Sequence, residues 1–179
     1  MIPKFISQIL TPIKLVLFFY FYKMKSSTVS QLQKELVSLE KKQIVEVCMR
    51  LVKYKKENKE LLSYLLFDLS DEQKFVAETK KEITELFGLI NTSTMYYARK
   101  GIRKVLRYTN KYIKYSGLHQ TELELRIYFC QQLKSSGIPF HKSDAMINLY
   151  NGQIEKIKRV LEKLHEDIQF DFVKIIEGL

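Results

Sequence analysis

At 179 residues, with 46% hydrophobic and 12% aromatic side chains, the chain is long and apolar enough for one packed domain, and six glycines with three prolines are too few for a loop-rich or disordered one. The only cysteines, Cys48 and Cys130, exclude a disulfide framework; each sits in an apolar helical pattern, VEVCMRL and IYFCQQL, and is expected to be a core thiol of a cytoplasmic protein. The formal net charge of +10 is unevenly spread: residues 1–24 carry +3, 25–95 carry +1, 96–116 carry +7 and 117–179 carry −1. The excess therefore belongs to one tail and one helix, and is not a bias of the whole chain.

Residues 1–24 are hydrophobic, but Pro3, Pro12 and Lys14 interrupt them. The charge-free pieces, 5–13 and 15–22, are shorter than the ~20 residues a membrane-spanning helix needs. No small-residue cleavage site follows the apolar run, so it does not read as a signal peptide. Two readings fit: an interfacial anchor with aromatics at headgroup depth, or upstream sequence before a true start at Met24. The second is preferred, because regular helical patterning begins only after Met24. Residues 25–179 read as a single all-helical domain.

Ser30 with Gln33 forms a potential capping box, and Leu32, Leu36, Leu39, Ile44, Val47, Cys48 and Leu51 continue one stripe to about Lys55. This region is either one helix or two, broken near Ser38. The lysines at 53, 55, 56 and 59 are diluted by Glu57 and Glu60 and read as a solvated face. Asn58 is the expected start of the next helix. Leu61, Leu62, Tyr64, Leu65, Leu66, Phe67 and Leu69 are apolar nearly all round, which predicts deep burial. Ser70 is the expected cap of a helix with Gln73 completing its box, and Phe75, Val76, Thr79, Ile83, Leu86, Phe87 and Ile90 as its buried edge. Asn91 to Thr94 supply a turn and a cap.

The next segment, YYARKGIRKVLRYTNKYIKYS over 96–116, is the most asymmetric in the chain. At ~100° per residue, Met95, Ala98, Ile102, Val105, Leu106, Thr109 and Ile113 share one side. Lys100, Arg103, Lys104, Arg107, Lys111 and Lys114 share the other, with Arg99 on the flank. Tyr97, Tyr108 and Tyr115 line one border of the basic face. No acidic residue occurs between Leu86 and Thr121. Like charges at i,i+4, such as Lys100 with Lys104, repel by a few tenths of a kcal/mol, so helix stability alone does not favour this face. Either neighbouring acids compensate for it internally, or an anionic partner does so externally.

Gly117 ends that helix. Thr121 and Glu124 are the expected capping box of the next, LELRIYFCQQL, whose apolar residues cover most of the circumference and place it centrally. Gly137 and Ile138-Pro139 end it. Ser143 or Asp144 opens a last long helix, in which Ile147, Tyr150, Ile154, Ile157, Leu161, Leu164 and Ile168 make a heptad seam. Packing within a bundle explains that seam, and a dimeric coiled coil is the lesser alternative. The fold class is therefore all-α: an irregular bundle or short solenoid-like stack of about six to seven antiparallel helices.

No motif for catalysis stands out. There is no Gly-rich phosphate loop, GxSxG elbow or HExxH. His119 and His141 fall in expected connecting segments. Glu162 and His165 match half of a di-iron motif whose second copy is missing. His165 beside Glu166 and Asp167 suggests a pH-sensitive surface cap. No enzyme activity, metal or cofactor is expected, and no small-molecule substrate is evident. The preferred function is a binding module in which the α-helical face of Lys100, Arg103, Lys104, Arg107, Lys111 and Lys114, with Tyr97, Tyr108 and Tyr115, contacts nucleic acid without strong sequence specificity. The alternative is an interaction scaffold whose basic face meets an acidic protein or internal acids.

Overall fold

The computed structural model describes residues 27–179, and the hydrophobic extension over 1–24 lies outside them. Two compact units divide the chain, Met1–Arg50 and Leu51–Leu179. Among the described residues there are eight α-helices and no strand, so the chain is all-α, with one or two helices more than expected.

The first unit contains α1 (Val29–Ser38) and most of α2 (Lys41–Tyr54). Its N-cap is Thr28, not Ser30: the Gln31 N–H donates to Thr28 Oγ1 (3.3 Å), and the Thr28 N–H donates back to Gln31 Oε1 (2.9 Å). Ser/Thr-x-x-Gln occurs twice, two residues apart, and the chain uses the earlier copy. The break falls where expected, at Leu39, which turns to an extended conformation. No side chain of α1 or α2 is buried, so Cys48 is half-buried and not the core thiol its pattern suggested.

The second unit holds the core. Here α3 (Lys56–Ser63) runs into a π-helical turn (Tyr64–Asp68), followed by α4 (Glu72–Gly88), α5 (Met95–Ser116), α6 (His119–Ser135), a 3-10 turn (Phe140–Lys142), α7 (Asp144–Leu161) and α8 (Glu166–Glu177). Asn58 does not start α3; Lys56 does, and the Asn58 amide donates to the Leu51 carbonyl at 2.8 Å. The 61–69 run is a clearer correction. Only Tyr64 is buried, while Leu66 and Phe67 are 64% and 74% exposed. An all-round apolar run says how much surface could be hidden, not what will cover it. The π winding, closed by the Leu69 N–H on the Tyr64 carbonyl, points a single side chain inward.

Asp71, not Ser70, caps α4 by accepting from the Lys74 N–H at 3.1 Å; a carboxylate is the stronger acceptor and complements the helix dipole. Phe75, Val76, Thr79, Ile83 and Phe87 are buried as the pattern predicted, with Leu86 and Ile90 half-buried.

Helix α6 is central: it packs on α4, α5 and α7, and buries Leu123, Leu125, Ile127, Phe129, Cys130 and Leu133. Burial pushes the Cys130 thiol up to about 12, against the opposing pull of Arg126. The Thr121–Glu124 box is not formed. Helix α6 begins two residues earlier, at His119, and Thr121 is buried with its hydroxyl donating to Glu72 Oε1 at 2.5 Å. Glu124 instead takes Lys80 at 2.7 Å. The circumference of α6 also hides a polar centre. Arg126 is buried and pairs with Glu122 (2.7 Å), Asn110 Oδ1 (3.0 Å) and Gln153 Oε1 (2.8 Å), which joins α5, α6 and α7. Each guanidinium nitrogen has a partner, as burial of the charge requires.

The expected long last helix is two. Helix α7 ends at Leu161, so Leu164 falls in a turn and Ile168 in α8, and the heptad seam is not carried by one rod. Among the described residues, no helix is long and apolar enough to cross a membrane.

Candidate functional site

The basic helix forms as its sequence dictates. Thr94 caps α5, accepting from the Tyr97 N–H at 3.4 Å. Ala98, Ile102, Val105, Thr109 and Ile113 are buried, while Met95 and Leu106 are half-buried at the edges. Gly117 ends the helix at φ +70, a left-handed position that favours glycine, and its N–H returns to the Ile113 carbonyl at 2.9 Å.

From Lys100 to Arg107 the cationic face is open. Lys100, Arg103, Lys104 and Arg107 are exposed, and none of them has a carboxylate within ion-pair distance among the described residues. Tyr96, Arg99, Lys100, Arg103 and Arg107 line one shallow depression on this face. Tyr96 and Tyr97 are both exposed, with their rings edge to face at 5.4 Å. Tyr96 was not among the candidates drawn from sequence, although the wheel puts it amid the cations.

At Lys111 the face turns inward. Lys111 Nζ donates to Glu60 Oε2 at 2.8 Å and lies 5.4, 4.8 and 5.9 Å from the ring centroids of Tyr108, Tyr112 and Tyr115. The Tyr115 hydroxyl donates to Glu60 as well (2.9 Å), and the Tyr108 hydroxyl donates to Glu82. Tyr112 is tilted against Phe75 at 5.8 Å. Burial, reinforced by the carboxylate each phenol meets, pushes both the Tyr108 and Tyr115 hydroxyls well above their ordinary range. Burial pushes the Glu60 carboxyl up, and the hydrogen bonds from Lys111 and Tyr115 outweigh it, leaving the group below its ordinary value. Lys114 remains exposed. Of the nine candidate residues, the structure thus groups Lys100, Arg103, Lys104, Arg107 and Tyr97 on one open surface, and commits Lys111, Tyr108 and Tyr115 to internal bonds.

The division follows from antiparallel pairing. The early residues of α4 lie beside the late residues of α5: Phe75 meets Tyr112, and Glu82 meets Tyr108. The segment just after α4 lies beside the early residues of α5: Ile90 meets Gly101. The chain from Leu86 to Asn91 holds no acid. The acid-free stretch is therefore folded back on itself, and α5 around Gly101 finds Leu86, Leu89, Ile90 and Asn91 there but no carboxylate. Gly101 shows how close they come: a Cβ at this position would lie 2.8 Å from Ile90 Cγ2. Nothing local marks Glu60 or Glu82 as the partners of the second half.

The remaining polar candidates stay apart. His119 is the first residue of α6, not a loop residue, and His141 lies in the 3-10 turn. Glu162 and His165 fall in the turn between α7 and α8, so they do not share a helical face. His165 is the N-cap of α8, with Nδ1 accepting from the Asp167 N–H at 3.4 Å. Among the described residues, no group of three or more His, Cys, Asp or Glu is placed to hold a metal ion. No family model matches the chain, and no curated protein or solved structure resembles it significantly.

Proposed function

We propose that the first half of α5 is a binding surface for an anionic partner, that this partner is nucleic acid bound without strong sequence specificity, and that the protein acts by binding and not by catalysis. The observation that carries the reading is the open quartet Lys100, Arg103, Lys104 and Arg107, which has no carboxylate partner among the described residues in a chain with 20 acidic residues to offer. Repulsion within the quartet costs a few tenths of a kcal/mol per i,i+4 pair, and phosphate binding would offset it. Arginine adds a bidentate fit to phosphate oxygens.

Fluorescence anisotropy with a labelled oligonucleotide, between about 50 mM and about 200 mM salt, tests the proposal. Four neutralised phosphates predict a slope of log K against log salt of about −2.8 to −3.6. A protein that ignores nucleic acid at the low-salt end would contradict the reading. Displacement by polyglutamate at equal charge concentration would favour an acidic protein as the partner.

A further inference from the structure

We infer that the partner is a single strand, held with one unpaired base in the groove between α5 and the end of α4; this rests on the proposal that the α5 cations bind nucleic acid. The groove has an apolar floor of Leu86, Ile90 and Val105, interrupted by Gly101, and a rim that carries Lys100, Lys104 and Arg107. Its two lips are Leu89, 80% exposed, and Tyr97, 48% exposed. Covering Leu89 and the Tyr97 ring would remove apolar surface from water, at roughly 25 cal/mol per Å².

Cations beside an apolar recess suit an occupant that brings negative charge to the rim and an apolar surface to the floor within one small footprint. Lys100 to Arg107 spans roughly 10 Å along the helix, short against the ~34 Å of one duplex turn. A duplex would meet the cations with its phosphates, but its bases are stacked inside and cannot enter the recess. A single strand offers both surfaces, since each unpaired base has a π-face and each linkage a phosphate. Gly101 lets Ile90 pack against the backbone of α5 and so shapes the floor. Ile90 already lies against the helix backbone there, and any side chain at 101 would meet it. Tyr96, edge-on to Tyr97 at 5.4 Å, braces that ring at the mouth.

The test compares Tyr97→Ala, Tyr97→Phe and the wild type by anisotropy. The probes are a single strand of about 12 nucleotides, the same sequence as duplex, and the same strand with its bases removed. The wild type should prefer the intact single strand over both other probes. Tyr97→Ala should lose at least about 5-fold on it, the lower end of the worth of one stacked base, with an unchanged salt slope. Tyr97→Phe should bind as the wild type does. If the wild type binds all three probes equally and Tyr97→Ala changes none of them, the base pocket is overturned and the phosphate-binding proposal survives. If the wild type binds none of them, that proposal fails first, and the pocket fails with it.

Discussion

The two halves of α5 are built from the same residue types and do different work. Both carry lysines, and both have tyrosines along the same border. In the second half, Lys111 is 29% exposed and paired with Glu60 at 2.8 Å, and its tyrosines donate to carboxylates of α3 and α4. From Lys100 to Arg107, four cations face outward without such partners, and Lys114, beyond Lys111, is exposed as well. The lesson is that a basic helical face is not one object. Which part is structure and which is surface depends on what the antiparallel neighbour brings alongside each turn.

The largest expected effect lies where α5 ends. Glu72 accepts from Tyr64 (2.7 Å), Ser116 (2.5 Å) and Thr121 (2.5 Å), and so ties the π turn, α4, α5 and α6 at one carboxylate. Two of those donors are buried. Glu72→Ala should cost ~3 kcal/mol in urea unfolding, because each unsatisfied buried donor costs ~1–3 kcal/mol. A loss under ~1 kcal/mol would show that water replaces the carboxylate without penalty. Thr121→Ser, which keeps the hydroxyl and loses only a buried methyl, should cost about 1 kcal/mol or less.

Glu60→Gln comes next, at ~1–2 kcal/mol near neutral pH, since it weakens charge-assisted bonds from Lys111 and Tyr115. The folded-state pKa of Glu60 is lowered, so its contribution is present above the ordinary value of 4.5 and is lost as pH falls through the lower folded value. The gap between wild type and Glu60→Gln should therefore close on acidification below that range. A gap independent of pH would mean the loss is packing and not charge.

Gly101→Ala sharpens the contrast from the other side. Alanine gains up to ~1 kcal/mol of helix propensity, yet its Cβ would press on Ile90 at 2.8 Å, and overpacking costs ~1–3 kcal/mol. A net loss of about 1 kcal/mol is expected. A net gain would show that Ile90 moves freely and that the close approach does not need glycine. The smallest expected effect is that of Arg103→Ala with Arg107→Ala, which should leave stability within ~0.5 kcal/mol, or raise it slightly, through relief of repulsion.

Much of this was legible in the chain. Periodicity of 3.6 placed the buried faces of α4 and α5 nearly residue by residue, because each has a polar side to contrast with an apolar one. It failed at 61–69, where no contrast exists, and Tyr64 alone went inward. Capping signals located helix starts to within a few residues but chose the wrong side chain at Ser30, Ser70 and Thr121. A Ser/Thr-x-x-Glu/Gln spacing permits a cap, and tertiary partners such as Glu72 compete for the same hydroxyl. The basic face itself was legible, but its division was not. That division depends on Glu60 and Glu82, 51 and 26 residues away from Lys111 and Tyr108, and only the fold brings them together.

The most direct test of the divided helix is the salt dependence of single-strand binding in two variants measured beside the wild type. Arg103→Ala with Arg107→Ala should make the slope of log K against log salt shallower by about 1.4, two phosphates at ~0.7 each. Lys111→Ala should leave the slope unchanged, since its charge is already spent on Glu60. Equal changes in slope per charge removed at Arg103 and Arg107 and at Lys111 would contradict the account and make α5 one uniform binding face.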